Sequence, residues 1–333
     1  MSPVPALVDG FGRRVTYLRL SVTDRCDLRC TYCMPEHMAF AAARDRLGVD
    51  DLYTIAGAFI AGGIRKVRLT GGEPLVRKDL PALLERFAGN LQRGELDELV
   101  VSTNGSRLAQ LAGTLVGSGV RRVNVSLDTL DPGQYREITR GGALADVLGG
   151  IDAALAAGLK IRLNTVALRG VVEGQIDALL RYAHGRGMAL ALIETMPLGD
   201  TGVSRLGQYL PLDAFRRQLE TRWTLTASPA RSGGPASYVE VGETGGLLGF
   251  ITPLSCNFCA ACNRVRVGSD GRLYTCMGHE GSVDLRPALG VGGAALDAAI
   301  RGALRHKPER HGFRVAATGL AGGIGRHMSV LGG

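Results

Sequence analysis

The stretch TDRCDLRCTYCMPE at residues 23–36 places three cysteines, Cys26, Cys30 and Cys33, in a C-x3-C-x2-C spacing. An apolar run at residues 17–22 precedes it and has the pattern of a buried strand. Three thiolates on one loop suit a four-iron cluster in which one iron keeps an open position for a small molecule. A zinc knuckle with a distant fourth ligand is the alternative interpretation, because structural zinc takes four donors.

A rhythm of strands and helices continues along the chain from residue 17 to residue 198. Short apolar runs alternate with segments that carry apolar residues at helical spacing and mostly end at glycine. The apolar runs lie at residues 17–22, 66–72, 98–105, 122–128, 160–168 and 189–198. Strands joined by helices pair in parallel and place ligand-binding residues at their carboxyl ends. Six such units predict a partial (β/α)6 barrel.

The rhythm changes after residue 198, which predicts a second, smaller region. Strand-like runs follow a helical pattern at residues 212–223, and residues 264–276 contain the Asp-Gly turn of a hairpin. A last helix is predicted near residues 294–306. We therefore expect an α/β barrel over residues 10–228 and an α+β cap over residues 229–333.

The other four cysteines of the chain all lie in the predicted cap. Cys259, Cys262 and Cys276 again supply three thiols, while Cys256 is a fourth that would allow a zinc ribbon instead. Their clustering indicates metal ligands rather than disulfides, because cysteines stay reduced in the cytosol.

Two arginines, Arg264 and Arg266, follow the second cysteine cluster at alternate positions of a predicted strand, so they share one face. A closed structural zinc site has no need of guanidinium groups. Paired guanidinium groups bind phosphate, which points to a phosphorylated substrate beside the metal.

Composition agrees with a small anionic substrate. The 333-residue chain has 39 lysine and arginine residues against 31 acidic ones, a formal charge of +8. This modest excess suits a nucleoside triphosphate, and without basic runs interleaved with aromatics it does not favour nucleic acid. We expect a cytoplasmic protein without a membrane partner, because residues 1–14 lack a signal-peptide pattern and no apolar run is long enough to span a bilayer.

The first cysteine motif, CDLRCTYC, resembles the signature of the radical S-adenosylmethionine (SAM) superfamily. TGGEP at residues 70–74 resembles the superfamily motif that holds the amino group of SAM. The resemblance implies that Cys26, Cys30 and Cys33 hold a [4Fe–4S] cluster whose open iron takes SAM. One electron would then cleave SAM to methionine and a 5′-deoxyadenosyl radical. The SAM contacts that the resemblance implies are Tyr32, Gly72, Glu73, Ser126 and Met196.

Within that superfamily the chain is similar to the MoaA-type GTP 3′,8-cyclase family, which begins molybdenum cofactor biosynthesis. The similar motifs run from about residue 10 to residue 333 and include STNG, IETMPLG, GPASY, HKPERHGF and the terminal MSVLGG. The resemblance implies abstraction of the C3′ hydrogen of GTP and formation of (8S)-3′,8-cyclo-7,8-dihydroguanosine 5′-triphosphate. It also implies that Cys259, Cys262 and Cys276 hold a second [4Fe–4S] cluster, whose open iron meets guanine.

The same resemblance assigns further residues and partners. The residues implied to bind GTP are Arg19, Arg68, Ser102, Arg162, Arg264 and Arg266. Arg264 and Arg266 are also implied to be catalytic, together with Gly332 and Gly333 of the C-terminal tail. The implied partners are GTP, a reductant such as flavodoxin or ferredoxin, a downstream cyclic pyranopterin monophosphate synthase, and a second copy of the chain in a homodimer.

Several positions depart from the family pattern. Arg162 stands where the family often has a lysine, Ala191 where it commonly has an arginine, and Ser102 where it usually has a threonine. Cys256 lies outside the family's ligand set and has no assigned role. Two other hypotheses stay open: a radical SAM enzyme that modifies a peptide, and a metal-stabilised binding or electron-transfer protein.

Overall fold

The computed structural model describes residues 5–316, 319–321 and 323–332 of the chain. Six parallel strands form its centre and confirm the six predicted runs. They are β1 (Tyr17–Ser21), β2 (Lys66–Thr70), β3 (Glu98–Thr103), β4 (Arg122–Ser126), β5 (Lys160–Val166) and β6 (Ala189–Ile193). Each strand pairs with the next in chain order, as expected of a partial barrel.

Helices connect these strands. They are α1 (Val49–Ala61), α2 (Leu80–Gln92), α3 (Leu108–Gly117), α4 (Pro132–Thr139), α5 (Leu144–Ala156) and α6 (Val172–His184). The sequence analysis did not identify α1 or α4. Helix α4 is short, and its signals are Pro132 at the first turn and Asp131, whose side chain accepts a hydrogen bond from Gln134 N at 2.7 Å.

The C-terminal region extends the same sheet at both edges. Its strands are β7 (Leu225–Ser228), β8 (Ser237–Val241), β9 (Gly246–Ile251), β10 (Arg264–Val267), β11 (Arg272–Tyr274) and β12 (Val283–Asp284). Strand β9 pairs in parallel with β6, and β10 pairs in parallel with β1. The predicted hairpin is confirmed as the antiparallel pair β10–β11. The two edge pairings were not predicted, because strands so far apart in sequence leave no local pattern.

Besides three short 3-10 helices at Ala43–Asp45, Pro74–Val76 and Cys259–Ala261, further α-helices and strands lie around this sheet. They are α7 (Arg205–Gln208), α8 (Leu212–Leu219), α9 (Arg286–Val291), α10 (Gly293–Arg305), β13 (Arg314–Ala316), β14 (Gly319–Ala321) and α11 (Met328–Leu331). Helix α10 confirms the helix predicted near residues 294–306, and the short helix α11 follows it. Within the described ranges, no helix is long and apolar enough to cross a membrane.

The barrel strands divide their residues between two faces. Leu18 and Leu20 of β1 are fully buried in the main hydrophobic core, whereas Arg19 between them lines the interior cavity. Strand β2 repeats the division, with Val67 in the core and Arg68 at the cavity. Because successive side chains point to opposite faces, the same strands pack the helices and build a polar interior.

A buried carboxylate, Glu194, ties the end of β6 to the C-terminal region. Its Oε1 accepts a hydrogen bond from Leu212 N at 3.1 Å, at the start of α8. Its Oε2 accepts bonds from Leu254 N at 2.8 Å and Ser255 N at 3.1 Å, and Oε1 also accepts from the Ser255 hydroxyl. The loop that leads into the second cysteine cluster is therefore anchored on the barrel.

We expect Glu194→Gln to lower the free energy of unfolding by about 1–3 kcal/mol, because an amide has one acceptor oxygen and leaves a buried backbone donor unpaired. The measurement is urea unfolding of the cluster-free protein followed by circular dichroism. Glu240→Gln, at an exposed position of β8, is the matched control. Equal transition midpoints for the two variants would contradict this role of Glu194.

Candidate active site

The first cysteine loop lies between β1 and α1, and its three thiols line a large cavity inside the barrel. Cys30 O accepts a hydrogen bond from Cys33 N at 2.9 Å, and Cys26 Sγ accepts one from Leu28 N at 3.4 Å. Burial raises the pKa of Cys26 to about 12 and that of Cys33 to about 11. Thiols in such surroundings ionise only when a nearby cation compensates, which is what bound iron does.

The donor set of this loop suits a four-iron cluster, because three thiols line the cavity and leave one iron open. A single zinc ion would need a fourth donor. Within the described residues, no three Cys, His, Asp or Glu side chains converge as the ligands of one ion.

The glycines of TGGEP allow the loop that follows β2 to pack against the first cysteine loop. Gly72 N donates to Thr23 O, and Glu73 N donates to Arg25 O, both at 2.8 Å. A Cβ on Gly72 would lie 2.3 Å from Arg25 O. Only a residue without a side chain allows this approach, so Gly72 sets the position of the loop that carries the cysteines.

Glu73 has surroundings that the sequence analysis did not anticipate. It was predicted to lie near the amino group of SAM, but it is fully buried and is not among the residues that line the cavity. Its carboxylate accepts hydrogen bonds from Thr103 Oγ1 at 2.7 Å, Asn104 N at 2.6 Å and Leu75 N at 3.0 Å. Burial raises its pKa to about 7. The contacts shown for Glu73 thus join the loops after β2 and β3.

The other predicted SAM contacts all line the cavity: Tyr32, Gly72, Ser126 and Met196. Tyr32 donates its hydroxyl hydrogen to Asp128 Oδ2 at 2.8 Å, and Asp128 Oδ1 accepts from Val166 N at 2.8 Å. Burial raises the pKa of Asp128 to about 6. Asp128, which was not predicted as a site residue, fixes the tyrosine against the ends of β4 and β5.

Arginines form a positively charged wall of the same cavity. Arg19 pairs in register with Arg266 of β10 on one side and with Arg68 of β2 on the other. Burial and, after it, the neighbouring guanidinium groups lower the pKa of Arg68 to about 9 and that of Arg266 to about 10. Burial also lowers the pKa of Arg19 well below its ordinary value.

Four arginines of the cavity have, within the described residues, no carboxylate beside them, which is the usual partner of a buried cation. In the part of the chain that the structure describes, no carboxylate forms an ion pair with Arg68, Arg162, Arg264 or Arg266. Arg162 is instead fixed by neutral groups: its Nη1 donates to the Tyr238 hydroxyl at 2.9 Å. Buried cations without counter-ions are costly, so this wall calls for an anionic ligand. Ser102, also predicted to contact GTP, lines the same cavity.

The second cysteine cluster borders this cavity as well, through Cys259, Cys262 and Cys276. Burial would raise the pKa of Cys262, but Arg264 and Lys307 outweigh it and lower this pKa to about 7. Cys256 is exposed and does not line the cavity, which agrees with leaving it outside the ligand set. The structure thus brings two sets of three thiols to one cavity with the arginines.

The C-terminal tail enters the barrel. Arg266 Nη1 donates to Gly332 O at 2.7 Å and to Leu331 O at 3.3 Å. Gly332 has φ of 72°, and a Cβ there would lie 2.0 Å from Thr70 Oγ1, so glycine is required. Gly333, predicted to be catalytic, lies outside the described residues.

Sequence reasoning also missed Lys307 and Tyr238. Both lie in motifs quoted for the family resemblance, HKPERHGF and GPASY, but neither motif had an assigned role. Tyr238 packs beside Gly249 and Ala191, where a Cβ on Gly249 would lie 2.9 Å from the tyrosine ring. Its hydroxyl holds Arg162, and no local pattern reveals a contact between residues 76 positions apart.

Comparison with known families agrees with this geometry. The model of the Radical SAM superfamily matches residues 20–183, and the model of Molybdenum Cofactor Synthesis C matches residues 188–313. A protein of Rhizobium meliloti named GTP 3′,8-cyclase is 55% identical over 98% of this chain and 94% of its own length. One of the same name from Erythrobacter litoralis is 54% identical over 98% of both chains.

A solved structure shows the same fold at low sequence identity. SuiB of Streptococcus suis, bound to S-adenosylmethionine, has a TM-score of 0.58 and 19% identity. The alignment covers 79% of this chain and 60% of SuiB. The likeness confirms the partial barrel.

We expect Gly72→Ala to lose most of the iron bound by the first cysteine loop, because the added methyl group forces Arg25 O and its loop away. Gly113→Ala is the matched control, since a Cβ at this exposed helical glycine meets nothing within 4 Å. Iron content and visible absorption after anaerobic reconstitution measure the effect. Equal iron in the two variants would show that the close approach is not needed.

In cluster-free protein at pH 7, we expect iodoacetamide to alkylate Cys262 before Cys26 and Cys33. A pKa of about 7 leaves roughly half of Cys262 as thiolate, whereas pKa values of about 11 to 12 leave roughly one part in 10⁴ or less. Peptide mass mapping over time gives the order. The alkylation rate of Cys262 should rise with pH and level off above about pH 8. Equal rates at Cys26 and Cys262 would refute the electrostatic difference.

Proposed function

The chain belongs to the GTP 3′,8-cyclase family of radical SAM enzymes, and we propose that its two cysteine loops and the arginine wall between them form the active site. The enzyme converts GTP to (8S)-3′,8-cyclo-7,8-dihydroguanosine 5′-triphosphate in molybdenum cofactor biosynthesis. It uses SAM and two [4Fe–4S] clusters. The observation that carries the residue assignments is the convergence of both thiol sets and the arginines on one cavity.

The first cluster and SAM are assigned to the mouth of the barrel. Cys26, Cys30 and Cys33 would hold the cluster, and the bound cluster would supply the electron for the cleavage of SAM to methionine and a 5′-deoxyadenosyl radical. The residues assigned to SAM are Tyr32, Gly72, Ser126 and Met196. Glu73 remains a predicted SAM-binding residue, and its contacts support an indirect action through the backbone of Gly72 and Asn104.

GTP is assigned to the space between the clusters. Cys259, Cys262 and Cys276 hold the second cluster beside the guanine base. The residues assigned to GTP are Arg19, Arg68, Ser102, Arg162, Arg264 and Arg266. Guanidinium groups hold the triphosphate by charge-assisted hydrogen bonds and so keep the ribose in register with the SAM site.

The reaction is confined to this cavity. Bound SAM would supply the radical that removes the hydrogen atom from C3′ of GTP, after which C3′ would bond to C8 of guanine. One electron from the reductant and one proton would complete the cyclic product. We assign catalytic positioning to Arg264, Arg266, Gly332 and Gly333, supported by the hydrogen bonds from Arg266 to the tail.

The remaining assignments concern partners and location. The family requires a reductant, and we propose flavodoxin or ferredoxin for that role. We also propose a downstream cyclic pyranopterin monophosphate synthase as a functional partner, a homodimer, and a cytoplasmic location, where thiols stay reduced.

A division of the chain near residue 228 stays a prediction. Relatives more than 50% identical over the whole chain favour GTP over a peptide substrate.

We expect the double variant Arg264→Ala/Arg266→Ala to lose cyclisation by about 10²–10⁴-fold, since two hydrogen bonds to a charged ligand are each worth about 1.5–3 kcal/mol. It should still cleave SAM slowly, because the first cysteine loop is untouched. The assay is anaerobic, with GTP, SAM and reductant, and detects cyclic product and 5′-deoxyadenosine by mass. Arg44→Ala is the control, since this side chain is 89% exposed. An unchanged yield of cyclic product would refute the assignment.

A further inference from the structure

Lys307 is a buried lysine beside the second cysteine cluster. It follows α10 and is 2% exposed. Its Nζ lies 3.5 Å from Cys262 Sγ and donates a hydrogen bond to Thr275 O at 2.7 Å. Thr275 directly precedes Cys276, so the ammonium group reaches both segments that supply the thiols.

The ammonium group has no carboxylate partner within the described ranges of the chain, although a buried charge needs one. Among the described residues, the thiol to which Nζ donates is that of Cys262, at 3.5 Å. Arg264 Nη2 lies 3.9 Å from the same sulfur. Lys307 is therefore placed as a counter-ion for a cysteine thiolate rather than for a protein acid.

The position of Lys307 is held from outside the cavity by Arg13. Arg13 Nη2 donates to Pro308 O at 2.6 Å, and Nη1 donates to Glu309 O at 2.6 Å and to Cys259 O at 2.8 Å. Asp9 in turn binds Arg13 Nε at 2.6 Å. One guanidinium thus fixes the loop that follows Lys307 against the backbone of a cysteine of the same cluster.

The first cysteine loop has mixed surroundings. Asp27 Oδ1 lies 3.9 Å from Cys26 Sγ, while Arg29 Nη1 donates to Cys26 O at 2.7 Å. The sulfur of Cys262, in contrast, lies beside an ammonium and a guanidinium group, which favours a more negative cluster at the second set of thiols. Positive charge and hydrogen bonds at a cluster sulfur stabilise the reduced form, which is more negative.

We propose that Lys307 is a positioning residue that donates a hydrogen bond to the Cys262 sulfur and raises the reduction potential of the second cluster. The inference rests on the proposed function, which assigns Cys259, Cys262 and Cys276 to that cluster. It concerns how readily that cluster accepts an electron beside the substrate, and it is separate from GTP binding by the arginines.

The test is a redox titration of the reconstituted holoenzyme, with the two clusters distinguished by electron paramagnetic resonance with and without GTP. In Lys307→Gln and Lys307→Met we expect the equilibrium constant for one-electron reduction of the second cluster to fall about tenfold. This corresponds to a reduction potential lower by about 59 mV. In Lys307→Arg, which keeps the charge, the potential should fall less. Lys78→Gln is the control, because Lys78 is exposed. The first cluster should keep its potential in all four variants.

An unchanged potential of the second cluster in either uncharged variant overturns the role of Lys307, and so does an equal shift of both clusters. Iron analysis of the wild-type enzyme distinguishes this failure from failure of the proposed function. About four irons per chain instead of about eight would mean that no second cluster forms, and both proposals would fall. About eight irons with an unchanged potential would overturn the role of Lys307 alone.

Discussion

Strand β10 pairs with β1 in parallel, in a register that sets Arg266 beside Arg19. The two strands are separated by more than two hundred residues, yet the site depends on their pairing. It brings the second cysteine loop to the rim of the barrel that carries the first. It also continues the arginine row of β1 and β2 onto the C-terminal region. This pairing, together with the anchoring of the preceding loop at Leu254 and Ser255 by Glu194, sets the spacing of the two clusters.

The interior of this barrel is unusual for a protein core, because it holds several buried guanidinium groups. The cost of burying these charges is offset on the opposite face of each strand, where aliphatic side chains are fully buried under the helices. Burial and, after it, repulsion among the arginines lower the pKa values of Arg68 and Arg266. In the proposed site, the negative charges of a triphosphate would offset that repulsion.

Two sets of three thiols differ in what surrounds them. Asp27 and Arg29 both lie beside Cys26, whereas Arg264 and Lys307 lie beside the sulfur of Cys262. Spacing alone does not show this difference, because each set supplies three thiols. Of these charged residues, Lys307 comes from a segment distant in sequence. They give each set of thiols its own electrostatic environment, and with it a basis for different roles in one reaction.

Local sequence determined the parts that depend on short-range spacing. The cysteine motifs, the six strands, the Asp-Gly hairpin and the glycines beside the cysteine loop all follow from residues close together in the chain. Only the tertiary structure decided that Glu73 is enclosed by protein donors, that Tyr238 holds Arg162, and that Lys307 reaches Cys262. Each of these is a contact between segments that meet only after the sheet has formed. Periodicity and spacing predict which face of a strand or helix a side chain lies on. The residue that it contacts from a distant segment depends on how strands far apart in the sequence pair.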